Sequence, residues 1–151
     1  MVEPLRQFIS VIGVILVLSI AYSTYSSFIT TVNANQQFDI SAPGRYIKWQ
    51  APIYTFEEKP AGEIYYIAYE KGSLFYLENV NMNTKYELTA YLSNDASINT
   101  GPRIGALLGV RGNMTLYVSP DVDINKYAFV LFWSDRQQQI IGIANITKTL
   151  N

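Results

Sequence analysis

The N-terminal part of the chain is dominated by apolar residues, and residues 7–38 carry no charged side chain. Residues 8–20 contain only two serines and one glycine besides large apolar residues. A helix over residues 8–32 would be about 38 Å long at about 1.5 Å per residue, more than the ~30 Å hydrocarbon core of a bilayer. This pattern predicts a single-pass transmembrane helix that contacts the membrane through residues 8–32.

Three other interpretations of this segment are open. It could be a cleaved secretory signal, because Ser19-Ile-Ala21 and Val32-Asn-Ala34 resemble cleavage sites with small residues. It could be a helix in a soluble core, although a chain of 151 residues cannot easily surround a helix that is apolar on every side. It could also lie inside a filament of identical helices. The length of the apolar run favours a helix that stays attached, in a membrane or in a filament core.

Small residues in the same segment are candidates for helix packing. Ser19 and Ser23 are four positions apart, which places them on one face of a helix, and Gly13 is a further small residue in the run. Small side chains allow helix backbones to approach closely within lipid. Gly13, Ser19 and Ser23 are therefore predicted to form a packing site for another helix.

After Asn33 the sequence changes to short β-rich runs that are separated by turn residues. Within residues 85–92 apolar and polar side chains alternate, as they do in a strand with one buried face. Residues 127–133 do not alternate, which predicts a central strand covered on both sides. The spacing predicts a mainly β, antiparallel β-sandwich over residues 35–151, after an anchor helix and polar join over residues 1–34. The predicted strands are 36–41, 45–50, 53–58, 63–70, 74–80, 85–93, 104–110, 114–119, 127–134 and 139–149.

The composition disfavours several classes of function. The chain has no Cys, which excludes a disulfide, a thiolate nucleophile and a zinc finger. It also has no His, the usual general base and metal ligand near neutral pH. A net charge of −1 gives no electrostatic basis for binding nucleic acid.

No motif supplies a candidate active site. The segment Asp121-Val-Asp123-Ile-Asn125 spaces three oxygen ligands like the start of a calcium loop. Lys126 then stands where that loop needs Gly, and Phe132 stands where it needs Glu, so the segment is predicted to be a polar turn. We therefore expect a protein that is not an enzyme, with no catalytic residue, no metal site and no cofactor.

The charges around the predicted helix indicate its orientation. Arg6 precedes the helix and the next basic residue is Arg45, so the positive-inside rule predicts a cytoplasmic N-terminus and an extracytoplasmic C-terminal domain at the cell membrane. Two Asn-x-Thr sequons begin at Asn113 and Asn145, and each needs such a location to be used. Asn113 and Asn145 are therefore candidate N-glycosylation sites, with chance occurrence as the alternative because Asn is abundant.

Twelve Tyr and seven Phe residues need an explanation. Tyr65, Tyr66 and Tyr69 fall on both faces of one predicted strand, so some of these rings are expected to be exposed. They could pack among their neighbours as an aromatic β-surface, or they could form a contact surface, where exposed aromatic residues are enriched. Tyr65, Tyr66 and Tyr69 are the candidate contact surface.

An uncharged helix near Met1, a short polar join and a β-sandwich free of Cys and His resemble the archaeal type IV pilin-like proteins. Within that superfamily the layout is most similar to the accessory archaellum (archaeal flagellum) proteins lettered F and G. The resemblance implies an immunoglobulin-like β-sandwich outside the membrane, near the cell-envelope surface layer, in the stationary housing of the motor. It also implies protein partners, which are further copies of the chain or other filament and motor subunits.

One departure from the pilin pattern bears on the choice between two roles. Filament-forming pilins have a basic-Gly cleavage site just before the helix, and this chain has no Gly there. We therefore expect an unprocessed, membrane-anchored accessory subunit of a surface filament machine. The alternative is a type IV pilin-like filament subunit that mediates adhesion.

Overall fold

The computed structural model describes residues 38–147 of the chain. In this range no helix has both the length and the apolar character needed to cross a bilayer. The predicted anchor helix, with Gly13, Ser19 and Ser23, lies outside the described residues and stays a prediction. The described elements are the strands β1 Arg45–Thr55, β2 Pro60–Tyr69, β3 Gly72–Asn81, β4 Thr89–Ser93, β5 Arg103–Ala106, β6 Arg111–Val118, β7 Phe129–Ser134 and β8 Gln139–Asn145, with a 3-10 helix at Ile124–Lys126 between β6 and β7.

Hydrogen bonds join these strands into one antiparallel sheet in the order β5-β4-β7-β8-β1-β2-β3-β6. Strand β1 is shared by two halves of the sheet, because β2 pairs with it along almost its whole length and β8 pairs only with Ile53–Thr55. The two outer strands approach each other: a Cβ on Gly105 of β5 would lie 3.7 Å from Leu116 of β6. The predicted mainly β, antiparallel fold is confirmed, and its strands form a continuous sheet that nearly closes on itself.

Several predicted strand boundaries were wrong at turn residues. Pro52 was expected to end a strand, but β1 continues through it. Proline has no amide hydrogen to donate to a neighbouring strand, and Pro52 is paired only with β2 because the pairing with β8 begins at Ile53. The predicted strand at 36–41 is not a strand in its described part, because residues 39–44 form turns closed by a hydrogen bond from the Arg45 amide to Ala42 O. The strand expected at 85–93 begins only at Thr89.

The main core lies between the two halves of the sheet. Trp49 and Phe75 pack there with ring centroids 5.7 Å apart, and Phe132 of β7 is fully buried. Leu131, the neighbour of Phe132 that points to the opposite face, is also fully buried, and β7 lies between β4 and β8. The prediction of a central strand covered on both sides is therefore confirmed.

A second apolar cluster lies on the outer face of β2 and β3. It contains Tyr65, Ile67, Leu74 and Tyr76. The residues that precede β1 fold over this face: the ring of Phe38 stacks on Tyr76 at 5.4 Å, with the Arg45 guanidinium 4.1 Å from the centre of the Phe38 ring. The start of the described chain thus covers apolar surface that the sheet alone would leave in water.

The antiparallel order gives the sheet two distinct ends. At the entry end the described chain begins and finishes, and the segments there are 38–44, 70–71, 94–102, 119–128 and 146–147. At the far end lie the connecting segments 56–59, 82–88, 107–110 and 135–138. The first and last Cα atoms of β1, Arg45 and Thr55, are about 33 Å apart along the strand at about 3.3 Å per residue.

Candidate contact surface

Large apolar side chains are exposed at both ends of the sheet. At the far end Phe56 is 82% exposed, and it is accompanied by Tyr54 and Leu108. At the entry end Tyr46 and Tyr117 are exposed by about two thirds. Phe56 has the largest exposed fraction among these side chains, which makes its surroundings the first candidate for a contact surface.

The β1–β2 turn holds the Phe56 backbone in place while its ring points outward. Thr55 fixes the turn: its amide donates to Lys59 O at 2.8 Å, and its carbonyl accepts from the Glu58 amide at 2.9 Å. The Phe56 amide donates to Ile141 O of β8 at 3.3 Å, which ties the turn to the neighbouring strand. Glu58 adopts a left-handed backbone conformation with φ of 59°, a strained state for a residue other than glycine. The exposed ring is therefore carried on a well-defined turn.

Charged side chains flank the ring on the same turn. Lys59 Nζ lies 2.5 Å from the Glu57 carboxylate. The hydrogen bond from Lys59, followed by the attraction of its charge, lowers the pKa of Glu57. Both side chains are well exposed, so the pair contributes little to stability. The turn therefore presents an apolar ring beside a solvated ion pair.

An apolar groove begins on one side of Phe56 and runs over the outer face of β8. Its volume is about 600 Å³, and its lining includes Tyr54 of β1 and Ile143 of β8, which are paired across the two strands. Ala96 belongs to the segment 94–102, which folds back over the sheet from the entry end. The groove is lined by Tyr54, Thr55, Phe56, Glu58, Ala96, Ile140 and Ile143.

Buried hydrogen bonds hold the groove wall at Ala96. The side chain of Ser93 is fully buried, its hydroxyl donates to Ser97 O at 2.8 Å, and Thr100 Oγ1 lies 2.8 Å away. Thr100 in turn is 2.8 Å from Asp95 Oδ1. Ser93, Asp95 and Thr100 thus form hydrogen bonds within their own segment. These bonds hold the segment in place, so that Ala96 forms a fixed apolar wall of the groove.

A second, polar groove lies on the other side of Phe56. Its volume is about 560 Å³, and its lining includes Lys59 and Arg111 together with amide side chains of Asn81, Asn83 and Gln139. A partner that covers Phe56 would therefore meet an apolar surface on one side and hydrogen-bonding groups on the other. That combination is typical of the centre and rim of a protein interface.

The structure gives Tyr65, Tyr66 and Tyr69 positions other than the expected exposed surface. Tyr65 is 8% exposed and belongs to the outer apolar cluster. Tyr66 points to the opposite face, where its ring lies 5.5 Å from that of Trp49 in the main core. Tyr69 is partly buried against the outer cluster near Phe38. The three side chains do not form one exposed patch, because the sheet has apolar packing on both faces here.

The two sequons differ in their accessibility. Asn145 is exposed at the end of β8, and its Oδ1 accepts hydrogen bonds from the Thr147 amide at 3.1 Å and hydroxyl at 2.5 Å. Asn113 is partly buried within β6, and its Oδ1 accepts from the Asn79 amide at 2.8 Å. Asn79 has a left-handed backbone conformation, with a φ of 51°, at an irregularity in the pairing of β3 with β6. The Asn113 side chain therefore stabilises this irregular part of β3.

The acidic segment after β6 is a turn. Asp123 caps the 3-10 helix by accepting a hydrogen bond from the Asn125 amide at 3.2 Å, and it lies 3.8 Å from Lys126 Nζ. Residues 38–147 contain no group of three or more acidic, His or Cys side chains that could hold a metal ion. In the same range every buried polar side-chain atom has a hydrogen-bond partner.

Comparison with known proteins gives no match to a family model, to a curated protein or to a solved structure. The geometry of the surface itself is therefore the basis for inferring what it can bind. It offers a projecting ring, an apolar groove and a polar groove, which together suit binding. The sequence predicted neither groove, but the run Phe56-Glu57-Glu58-Lys59, with an aromatic ring next to three charged residues, marks the turn in retrospect.

Proposed function

We propose that this protein is a non-enzymatic, membrane-anchored binding component of an archaeal surface filament machine, with the role of an accessory, stator-like subunit of the archaellum. In this proposal residues 8–32 anchor the chain in the cell membrane. The β domain lies outside the membrane and acts as an immunoglobulin-like sandwich whose two halves share β1. Its partners are further copies of the chain, other filament or motor subunits, or the surface layer of the cell envelope.

The observation that carries the proposal is the exposure of Phe56 between two grooves. Burying a side chain of this size contributes roughly 1.5–3 kcal/mol, and an aromatic ring in a desolvated pocket is a common centre of binding energy. Phe56 is 82% exposed in the isolated domain, so most of that free energy is available to a partner. Binding by protein contact also agrees with a chain that has no His and no Cys.

Site-specific crosslinking in cells tests the surface directly. The chain has no Cys, so a single Phe56→Cys substitution introduces one thiol to which a photocrosslinker can be attached. Tyr46→Cys at the entry end is the matched control, because Tyr46 is also aromatic and is 66% exposed. We expect adducts from position 56 with another copy or with a filament or motor subunit. Adducts from position 46 alone would contradict the proposed surface.

Deletion of the gene distinguishes the two roles. For an accessory archaellum subunit, the cells should keep their pili but lose swimming. For a type IV pilin-like subunit, which the uncharged segment 7–38 would suit as a filament core, one filament type and adhesion should be lost while swimming persists. Normal swimming together with normal surface filaments would contradict both roles.

A further inference from the structure

We propose that the polar groove beside Phe56 is a binding site for an oligosaccharide. In this proposal exposed carboxamides and one arginine bind the sugar hydroxyls, and the Phe56 ring packs on the apolar face of a sugar ring. The inference deepens the proposed function and rests on it, because it names the chemistry that one side of the Phe56 surface recognises outside the membrane. The apolar groove on the other side of Phe56 stays available for a protein contact.

The polar groove lies where five neighbouring strands have their far ends. Thr55 is the last residue of β1, Pro60 is the first of β2, and Asn81 is the last of β3. Arg111 and Gln139 are the first residues of β6 and β8. These strands are consecutive in the sheet, and all five residues line the groove of about 560 Å³. Ligand sites commonly have such a volume, and the mouth of a closed or nearly closed sheet is a common place for them.

The amide side chains of the groove are free to bind a ligand. Asn81, Asn83 and Gln139 are exposed, and within residues 38–147 none of their side chains makes a hydrogen bond to the protein. A carboxamide has a carbonyl oxygen that accepts and an amino group that donates. A sugar hydroxyl also donates and accepts, so three carboxamides in one groove match a ligand that carries several hydroxyls.

Strand pairing places a further donor next to one of these carboxamides. Asn81 is paired with Arg111 across β3 and β6. Beside this pair the Met82 amide donates to Val110 O at 2.9 Å, which holds the two strand ends together. The guanidinium of Arg111 offers several donors in a rigid fork. The backbone therefore presents a carboxamide and a guanidinium side by side.

The charges of the groove favour a ligand that is neutral or carries a single negative charge. Lys59 lies 2.5 Å from Glu57, which leaves Arg111 as the unpaired cation among the described residues of the lining. A polyanion such as nucleic acid is bound by several cations, so it does not fit this lining. An apolar ligand would cover the carboxamides without giving them hydrogen bonds, which costs free energy. A neutral or weakly acidic sugar meets both conditions.

Phe56 supplies the apolar part of the site. The C–H groups of a sugar ring form an apolar face, and an aromatic ring can pack on that face. The Phe56 ring is 82% exposed, and its amide donates to the carbonyl oxygen of Ile141, which also lines the groove. Peptides are bound by β domains mainly through strand addition or apolar pockets. The amides beside Phe56 therefore fit a sugar better than a peptide.

Binding of glycans to the full-length protein tests the site. Oligosaccharides released from the envelope proteins of the native cells form one pool, and polysaccharides extracted from the same envelope form a second. The full-length chain is immobilised in a detergent that has no sugar headgroup, and surface plasmon resonance gives the half-saturating concentration of each pool. The two pools distinguish a glycan carried by a protein from a free polysaccharide. Deglycosylated envelope proteins are the third probe.

Three substitutions remove the main contacts of the groove, and three exposed residues of the same kind outside it serve as matched controls. The groove variants are Phe56→Ala, Asn83→Ala and Arg111→Ala. Their respective controls are Tyr117→Ala, Asn99→Ala and Arg103→Ala. All six side chains are exposed, and thermal denaturation checks that each variant is folded.

We expect at least one glycan pool to bind, and each groove variant to raise its half-saturating concentration about three- to tenfold while the controls leave it unchanged. Binding of neither pool, or equal effects of groove variants and controls, would overturn the inference. Binding of the deglycosylated proteins without binding of either pool would show a protein contact alone, which overturns the inference and leaves the proposed function intact. The proposed function fails separately, if position 56 gives no crosslink to a subunit while a glycan pool binds.

Discussion

The Tyr65 hydroxyl donates a hydrogen bond to the Glu63 carboxylate at 2.6 Å, and Oε2 of Glu78 lies 3.1 Å from the same hydroxyl. Glu63 and Glu78 are directly opposite each other on β2 and β3, where two like charges normally repel. The Tyr65 hydroxyl lies between the two carboxylates and donates its hydrogen bond to one of them. A buried tyrosine thus makes a pair of adjacent carboxylates tolerable on the outer face of the sheet.

Replacing Tyr65 with Phe should destabilise the domain by about 1–2 kcal/mol, because a hydrogen bond to a charged acceptor is lost and the ring is kept. The measurement is urea denaturation at neutral pH followed by tryptophan fluorescence. Tyr117→Phe is the control, since Tyr117 is 68% exposed and its loss of a hydroxyl should change little. A Tyr65→Phe variant as stable as the parent would show that the hydrogen bond has no net value.

The same contact predicts the response to alkaline pH. The hydrogen bond to Glu63, together with burial and the contact with Glu78, raises the pKa of Tyr65 above its ordinary value of about 10. The unfolded chain therefore loses this proton at a lower pH than the folded chain does. The stabilisation is complete below about pH 10 and is lost as pH rises toward the raised folded value.

The free energy of unfolding of the parent should consequently fall as pH rises above about 10, and Tyr65→Phe should fall less steeply. Burial also raises the pKa of Tyr76, with a smaller contribution from Glu78, so the Tyr76→Phe variant should keep the part of the slope that belongs to Tyr65. Urea denaturation at a series of alkaline pH values gives the slopes. Identical slopes for the parent and Tyr65→Phe would refute this assignment.

The cover provided by Phe38 predicts how far the chain can be shortened. A chain that begins at Asn35 keeps Phe38 and Ile40 on the outer apolar cluster and should unfold cooperatively without detergent. A chain that begins at Arg45 uncovers Tyr76 and should be less stable by about 2 kcal/mol or more, the value of burying a large apolar side chain. Thermal denaturation of the two shortened proteins gives the comparison. Equal stability would mean that Phe38 contributes no useful burial.

The strand pattern was largely predictable from the sequence, but the second apolar layer was not. A non-alternating run such as 127–133 predicts a central strand because both of its faces must be covered. Alternation within β2 cannot reveal what covers the outer face of that strand. The cover comes from Phe38, which lies 29 positions before Ile67 in the chain. For this reason Tyr65 was expected on a contact surface and instead lies in a packed cluster.

Turns were the second source of error, and for this reason the contact surface around Phe56 was not predicted. Residues 53–58 were predicted to continue as a strand, which would have placed Phe56 in a regular alternation. In the structure β1 ends at Thr55, and the turn that follows turns the Phe56 ring outward. The groove beside it also needs Ala96 from a distant segment, and pairing between distant segments is not encoded in a local pattern.

Three glycines should respond differently to substitution by alanine. A Cβ on Gly101 would overlap the carbonyl oxygen of Leu92, and the backbone at the end of a strand cannot move aside. We expect Gly101→Ala to cost about 3 kcal/mol or to prevent folding. A Cβ on Gly142 would meet the Met82 sulfur at 2.8 Å, but that side chain can move, so Gly142→Ala should cost less.

Gly105→Ala is the control for this series, because its Cβ would make an ordinary contact of 3.7 Å with Leu116 and should change stability by only about 0.5 kcal/mol. Urea denaturation ranks the three variants. The order of loss should be Gly101, then Gly142, then Gly105. A Gly101→Ala variant as stable as Gly105→Ala would contradict the close approach to Leu92.

The two sequons should differ in use if the domain is extracytoplasmic as proposed. Glycosylation attaches a bulky group to the amide nitrogen of Asn and needs an accessible side chain. Asn145 is exposed at the end of the last strand, whereas Asn113 lies within β6 and its amide oxygen accepts from the Asn79 amide at 2.8 Å. A glycan on Asn113 would have to fit against the irregular part of β3, where this contact holds the partly buried side chain in place. We therefore expect modification at Asn145 and none at Asn113.

Mass spectrometry of the protein purified from its native cells checks this expectation. Asn145→Gln and Thr147→Ala should each remove the added mass, because both destroy the same sequon. Asn113→Gln should leave the mass of the glycan unchanged, but it should lower stability by about 1 kcal/mol through loss of the hydrogen bond to Asn79. A glycan on Asn113 would contradict the accessibility argument. An unmodified protein would count against an extracytoplasmic domain in cells that glycosylate their surface proteins.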